Sequence, residues 1–152
     1  MHNDESLYLE NQLCFPLYAA ARMTIKLYGP LLKRMDITYP QYLVLLVLWK
    51  NGEQNVQQIG GQLFLESNTL TPLLKRMQEK RLIERKRSYL DERNVLVSLS
   101  EKGAKLKEEA LCIPAQIIEN FMGTDSLSQQ EVTAYKETLD RLLNVLHEKT
   151  AT

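Results

Sequence analysis

A mainly α-helical domain carrying one small β-hairpin is predicted by three observations. Apolar residues recur at intervals of three and four along most of the chain, which is the helical period. The period drops to two over Asn94-Val95-Leu96-Val97-Ser98-Leu99, and a polar turn, Ser88 to Arg93, links that stretch to Leu82-Ile83-Glu84-Arg85-Lys86, so the two read as paired strands. The 152 residues, 44% hydrophobic and 25% charged, suit a single globular domain over residues 1–152 and leave no room for a separate cofactor-binding lobe.

Leu9, Leu13, Leu17, Ala20, Ala21, Thr24 and Leu27 share one face, so residues 8–28 are expected as an amphipathic helix ending near Gly29-Pro30. Pro16 would loosen its first turns if the helix began before Asn11. A short second helix is expected over residues 30–34. Pro40 suits the start of the next helix, with Thr38 or Tyr39 as cap, and the apolar run to Trp49 is too continuous for a surface element, so this helix is the buried centre. Asn51-Gly52 stops it. Val56, Ile59, Leu63 and Leu65 make another short helix. Glu66-Ser67-Asn68 break it, and Ser67 or Asn68 is expected to cap a helix from about Thr69 to Lys80 with Leu70, Leu73, Leu74 and Met77 inward. After the hairpin, residues 101–122 are expected as a helix broken or kinked at Pro114 and ended by Gly123. Ser128 and Glu131 form a capping box with Leu127 and Val132 as its staple, and Leu139, Leu142, Leu143 and Leu146 line one face of the last helix.

Two short helices followed by a charged hairpin form a winged helix-turn-helix, whose second helix reads the major groove of DNA. Total charge by itself opposes this, because 19 basic residues meet 19 acidic ones. Its distribution favours it. Residues 75–100 carry 8 basic and 4 acidic side chains, against 5 and 6 in residues 1–74 and 6 and 9 in residues 101–152. The basic segment coincides with the reading helix and the hairpin, although a solvated helix face would also account for it.

The reading helix concentrates its polar groups at its start, where free N–H groups and the helix dipole suit phosphate. Ser67, Asn68, Thr69, Thr71 and Arg76 are placed to reach base edges and Lys75 a phosphate; helix capping is the competing role for Ser67, Asn68 and Thr69. Arg85 and Lys86 extend the basic surface onto the hairpin. At its tip Arg93 suits a narrow minor groove, with Asp91 able to brace it as an ion pair.

Leu13-Cys14-Phe15, Leu17-Tyr18-Ala19, Ile37-Thr38-Tyr39-Pro40-Gln41-Tyr42-Leu43, Thr69-Leu70-Thr71-Pro72-Leu73-Leu74-Lys75-Arg76-Met77 and Asp91-Glu92-Arg93 resemble the MarR family, and within it the organic hydroperoxide resistance regulators. The resemblance spans nearly the whole chain. The Asp-x-Arg wing is general to the family, whereas the early cysteine with Thr-Tyr-Pro-Gln-Tyr is particular to its thiol-sensing branch. It implies a homodimer with interlocked helices, about residues 8–35 and 101–148, and DNA-binding parts, about residues 37–100, gripping a palindromic operator in double-stranded DNA. The recognition helices of such a dimer sit about one DNA turn, roughly 34 to 36 Å, apart.

The resemblance also implies that Cys14 is a sensor oxidised by organic hydroperoxides, with its thiol hydrogen-bonded by Tyr28 and Tyr39 of a second subunit. An inert buried thiol and tyrosines that merely pack are the alternatives. The start of a helix helps a thiolate form, which matters because a free thiol is only about 3% ionised at pH 7. Cys112, in Leu-Cys-Ile-Pro, suits either an intersubunit disulfide or a structural role. A repressor released on oxidation follows. A repressor controlled by a small phenolic ligand, with bystander cysteines, keeps the same fold; a thiol peroxidase does not, since there is no thioredoxin-like alternation and no CxxC.

No cofactor and no metal are expected. His2 and His147 lie near opposite ends, leaving no evident triad or zinc set. Gly60-Gly61 lacks the Lys-Ser/Thr of a phosphate loop and suits helix packing. The longest apolar run, Tyr42 to Trp49, is far below the roughly 20 residues of a membrane helix, and MHNDES is unlike a signal peptide, so a cytoplasmic protein without a membrane partner is expected.

Overall fold

The computed structural model describes residues 4–91, 93–122 and 126–150. After two 3₁₀ turns, Asp4–Leu7 and Leu9–Asn11, the order is α1 (Cys14–Arg34), α2 (Tyr39–Asn51), β1 (Gln54–Asn55), α3 (Val56–Leu63), α4 (Ser67–Glu79), β2 (Ile83–Arg87), β3 (Val95–Leu99), α5 (Glu101–Ala110), α6 (Ile113–Glu119) and α7 (Gln129–Thr150). The expected mainly α class with a small sheet is what is found.

The core is built around α2, whose Tyr42, Val44, Leu45, Val47 and Leu48 are buried. Ile59 of α3, Leu70, Leu73, Leu74 and Met77 of α4, Ile83 and Val97 of the sheet, and Leu106 and Ile113 of the following helices close over it. α2 starts where the cap chemistry requires: the Thr38 N–H donates to Gln41 Oε1 at 3.0 Å. It ends at Gly52, whose φ of 70° is costly for any residue with a Cβ.

Four elements differ from expectation. The first helix begins at Cys14, so Pro16 falls in its first turn, where no backbone donor is needed. It then runs straight through Gly29-Pro30 to Arg34, absorbing the separate short helix. Pro30 only deprives the Lys26 carbonyl of a partner, and Pro30 is solvent-exposed, so water can take that place. The hairpin is part of a three-stranded antiparallel sheet in the order β1-β3-β2, because Gln54 and Asn55 pair with Val97 and Leu96. Two residues carry no strand period, and only tertiary pairing reveals them. Finally, α4 starts at Ser67 with Glu66 in the cap position and no side-chain cap bond. Ser67 and Asn68 are therefore first-turn residues rather than caps.

The break near Pro114 is present, at Leu111-Cys112 between α5 and α6, with Pro114 in the first turn of α6. Gly123 lies outside the described residues. The α7 capping box is complete: Ser128 N and Oγ both donate to Glu131 Oε2, at 2.8 and 2.7 Å, and the Glu131 N–H returns to Ser128 Oγ at 3.3 Å. These bonds, the backbone one foremost, hold the Glu131 carboxyl below its ordinary pKa.

Of the adjacent glycines, only Gly60 is a packing residue. A Cβ on Gly60 would stand 2.6 Å from the Leu65 carbonyl oxygen, whereas one on Gly61 meets nothing within 4 Å. Gly60→Ala is expected to lower stability by about 1 to 3 kcal/mol. Gly61→Ala should be neutral or stabilising by a few tenths, because helical glycine is replaced without a clash. Urea unfolding of the two variants side by side checks the contrast.

Candidate nucleic-acid interface and thiol site

The Asn55 side chain accepts from the Gln58 N–H at 2.8 Å, and the Gln58 side chain returns to the Asn55 N–H at 2.8 Å, so α3 has a reciprocal cap. Phe64 ends it at φ 54°, and this left-handed residue sets the turn into α4. α4 buries Leu70, Leu73, Leu74 and Met77 and leaves Ser67, Asn68, Thr69, Thr71, Lys75 and Arg76 in solvent. Ser67, Thr71 and Lys75 are four apart and form one outward row. The Thr69 hydroxyl donates to Asn68 Oδ1 at a long 3.4 Å, leaving the first-turn N–H groups of Ser67 and Asn68 without side-chain caps. The other end of α4 is anchored: Lys80 Nζ donates to the Asp36 carbonyl at 2.6 Å and pairs with its carboxylate at 3.1 Å.

β2 and β3 pair from Ile83↔Leu99 to Arg87↔Val95. Alternation puts Arg85 on the face of buried Ile83, and its Nε donates to Gln78 Oε1 of α4 at 2.8 Å. Arg85 thus ties the hairpin to α4. Lys86, on the other face, is exposed and pairs with Glu84 at 3.2 Å. At the tip, Asp91 does not brace the Arg93 guanidinium: among the described residues no ion pair joins them. Its Oδ1 accepts from the Arg93 backbone N–H at 3.0 Å and its carbonyl from the Asn94 N–H at 2.9 Å. Asp91 shapes the backbone of the turn, and the Arg93 side chain is left exposed.

Cys14 is the first residue of α1, and both it and Cys112 are exposed free thiols. Cys112 Sγ lies 3.6 Å from the Glu109 carbonyl, at the α5–α6 joint. Tyr28 and Tyr39 pack with their rings tilted at 55° and centroids 4.7 Å apart, and Tyr42 adds a third ring at 6.0 and 6.4 Å. Burial, then the neighbouring Tyr39 and Tyr42 hydroxyls, pushes Tyr28 up to about 12, and burial raises Tyr39 too. Both hydroxyls are therefore protonated donors at neutral pH. They border a cavity of about 450 Å³ between α1, α6 and α7, lined by Leu17, Ala21, Ile117, Phe121 and Leu139 among others. Cys14 and Tyr28 lie 14 residues apart on one continuous helix, roughly 21 Å at 1.5 Å per residue. One chain cannot bring that thiol to that hydroxyl.

Among the described residues, no group of three His, Cys, Asp or Glu is placed to hold a metal, and no helix is long and apolar enough to cross a membrane.

Residues 26–110 match the transcriptional regulator SarA/Rot family. Over 145 residues the sequence is 50% identical to the organic hydroperoxide resistance transcriptional regulator of Bacillus subtilis strain 168, covering 95% of this chain and 96% of that one. The chain belongs to the MarR family, in its organic hydroperoxide resistance group. The fold of this MarR-family regulator is similar to AbfR of Staphylococcus epidermidis. The reduced, DNA-bound form of AbfR is 35% identical with a TM-score of 0.74, covering 93% and 96% of the two chains. Its disulfide form is 35% identical with a TM-score of 0.61, covering 92% and 96%. A mutant MarR of Escherichia coli, complexed with operator DNA, shares the fold at 21% identity and a TM-score of 0.79, covering 93% and 99%.

Two residues of this MarR-family regulator escaped the sequence reading. Gln78 has no signal by itself, since an exposed helical Gln is commonplace until Arg85 is folded against it. Tyr42 had one: Tyr39 and Tyr42 are three apart on a helix and so share a face.

Proposed function

We propose that this regulator is a homodimeric, cytoplasmic repressor that grips a palindromic operator in double-stranded DNA and lets go when Cys14 is oxidised by an organic hydroperoxide. The placement of Cys14 carries the reading. An exposed thiol at the start of α1 lies far along the helix from Tyr28 of its own chain, while Tyr28 and Tyr39 hold protonated hydroxyls beside an apolar cavity. A second copy reconciles the two. The exposed apolar side chains of α1 and α7, among them Phe15, Met23, Val145 and Leu146, supply the surface for it. Helices about 8–35 and 101–148 then serve dimerisation and residues about 37–100 serve DNA.

In this reading the Cys14 thiolate attacks the terminal peroxide oxygen. An S–O bond forms as the O–O bond breaks, sulfur is oxidised by two electrons to a sulfenic acid, and the rest of the peroxide leaves as an alcohol after taking a proton. The apolar cavity favours a peroxide with a hydrocarbon body. Peroxide is a signal rather than a substrate turned over. Ser67, Asn68, Thr69, Thr71 and Arg76 meet the major groove, Arg93 the minor groove, Lys75 and Lys86 the phosphate backbone, and Arg85 and Asp91 hold the wing in shape. The relative AbfR exists in a reduced, DNA-bound form and in a disulfide form, which supports control of this kind. The same cavity keeps a phenolic ligand as the second reading.

Selection of binding sites from random duplexes by reduced protein, followed by mobility-shift titration after cumene hydroperoxide or salicylate, tests both. Enrichment of a palindrome, and release by the hydroperoxide at stoichiometric dose, is expected. No enriched sequence sinks the DNA reading; release by salicylate alone transfers control to the cavity.

A further inference from the structure

The tip of the wing carries two large apolar side chains that nothing in the chain uses. Tyr89 and Leu90 are 104% and 99% exposed. Their backbone is not loose. The Ser88 N–H donates to the Asn94 carbonyl at 2.8 Å, the Leu90 N–H to Ser88 Oγ at 3.2 Å, and Asp91 holds the Arg93 and Asn94 N–H groups from the other side. The turn therefore projects both side chains instead of folding them onto the sheet. Their apolar area stays in water and contributes no burial energy to the fold.

What covers this pair is indicated by its surroundings. Arg87 and Arg93 are exposed on the same hairpin, Lys86 is exposed and paired with Glu84, and the Asp91 carboxylate is occupied by the Arg93 N–H and the Asn94 side-chain amide. A partner must present negative charge on either side of an apolar floor. The minor groove does so, with phosphates along its rims and sugars and base edges between them. The chain belongs to a family of transcriptional regulators, which makes DNA the partner whose chemistry fits the hairpin tip.

We propose that Tyr89 and Leu90 form an apolar wedge that enters the minor groove beside Arg93 and pries apart one base step. The inference rests on the DNA reading above. The wedge supplies indirect readout, favouring pyrimidine–purine steps that unstack easily at the wing position. Arg93 supplies the charge-dependent part of the same contact.

The test compares wild type, the double variant Tyr89→Ser/Leu90→Ser, Tyr89→Phe and Arg93→Ala on the selected operator, with 2-aminopurine placed at the wing-facing steps. Wild type is expected to raise the 2-aminopurine fluorescence. The double variant should lose that signal and about tenfold in affinity, with its slope of log affinity against log salt unchanged because no phosphate contact is lost. Tyr89→Phe should behave as wild type. Arg93→Ala should lower the salt slope by about one. Unchanged affinity and fluorescence in the double variant overturn the wedge while leaving DNA binding intact, as does a salt slope that falls with the double variant. Failure of wild type to select any duplex removes both readings together. Unchanged melting temperatures verify that the tip variants fold.

Discussion

Cys14→Ser is expected to leave the DNA affinity of the reduced protein within about twofold and to abolish release by hydroperoxide. Release of the wild type by about a hundredfold or more requires the oxidised thiol to favour the non-binding arrangement by at least that factor. A hydroxyl at residue 14 is too weak a nucleophile to open an O–O bond, so the coupling disappears with the sulfur. The substitution is nearly isosteric and exposed, so the fold has little reason to change. Mobility shifts of both proteins across a peroxide titration give the answer, and a variant still released at wild-type doses refutes the assignment. Cys112→Ser separates the two end states. If Cys112 resolves the sulfenic acid, the wild type runs as a covalent dimer on non-reducing gels and the variant does not, although both leave DNA. Formation of that bond needs Cα atoms roughly 4.4 to 6.8 Å apart, a condition set by the dimer and by the α5–α6 joint.

The second large effect is structural. Gly103→Ala should destabilise the protein by roughly 3 kcal/mol, the upper part of the range for overpacking, and lower the melting temperature by about 10 °C. A Cβ at residue 103 would overlap the carbonyl oxygen of Leu82. That carbonyl already accepts from the Ser100 N–H at 3.1 Å, and Gly103 is itself held at both ends. Its N–H donates to Ser100 Oγ at 3.0 Å and its carbonyl accepts from Trp49 Nε1 at 2.9 Å. Every clashing group is backbone, so no side chain can swing aside. α5 must move off the base of the wing, and the Trp49 bond to the buried helix α2 stretches with it. Thermal melting followed by far-ultraviolet circular dichroism measures the loss; a fall under about 3 °C contradicts the packing argument. Operator affinity should weaken as well, because the same joint aims the wing relative to α4.

Much of this protein could be read from residues close together in sequence, because the forces involved act over three or four residues. The run Tyr42 to Trp49 announced a buried helix because no polar face interrupts it, and Ser128 with Glu131 announced the start of α7 because a cap is a local hydrogen-bond pair. The alternation of residues 94–99 announced the wing, and the outward polar row of α4 followed from its buried one. The places where expectation and structure part are those where a distant group decides. Pro30 does not end α1, since packing of Leu31, Leu32 and Met35 outweighs one missing bond at an exposed turn. Gln54 and Asn55 become a strand only because β3 offers them an edge. Arg85 turns inward because Gln78 is within reach, and Asp91 binds backbone because the turn presents N–H groups to it before Arg93 can compete. Sequence by itself thus determined the class, the buried and outward rows of α4 and the hairpin. Tertiary structure alone decided that α1 runs on through Pro30 and that Tyr28 gathers with Tyr39 and Tyr42 at the edge of a cavity, because contacts between separate elements leave no signal in local residue order.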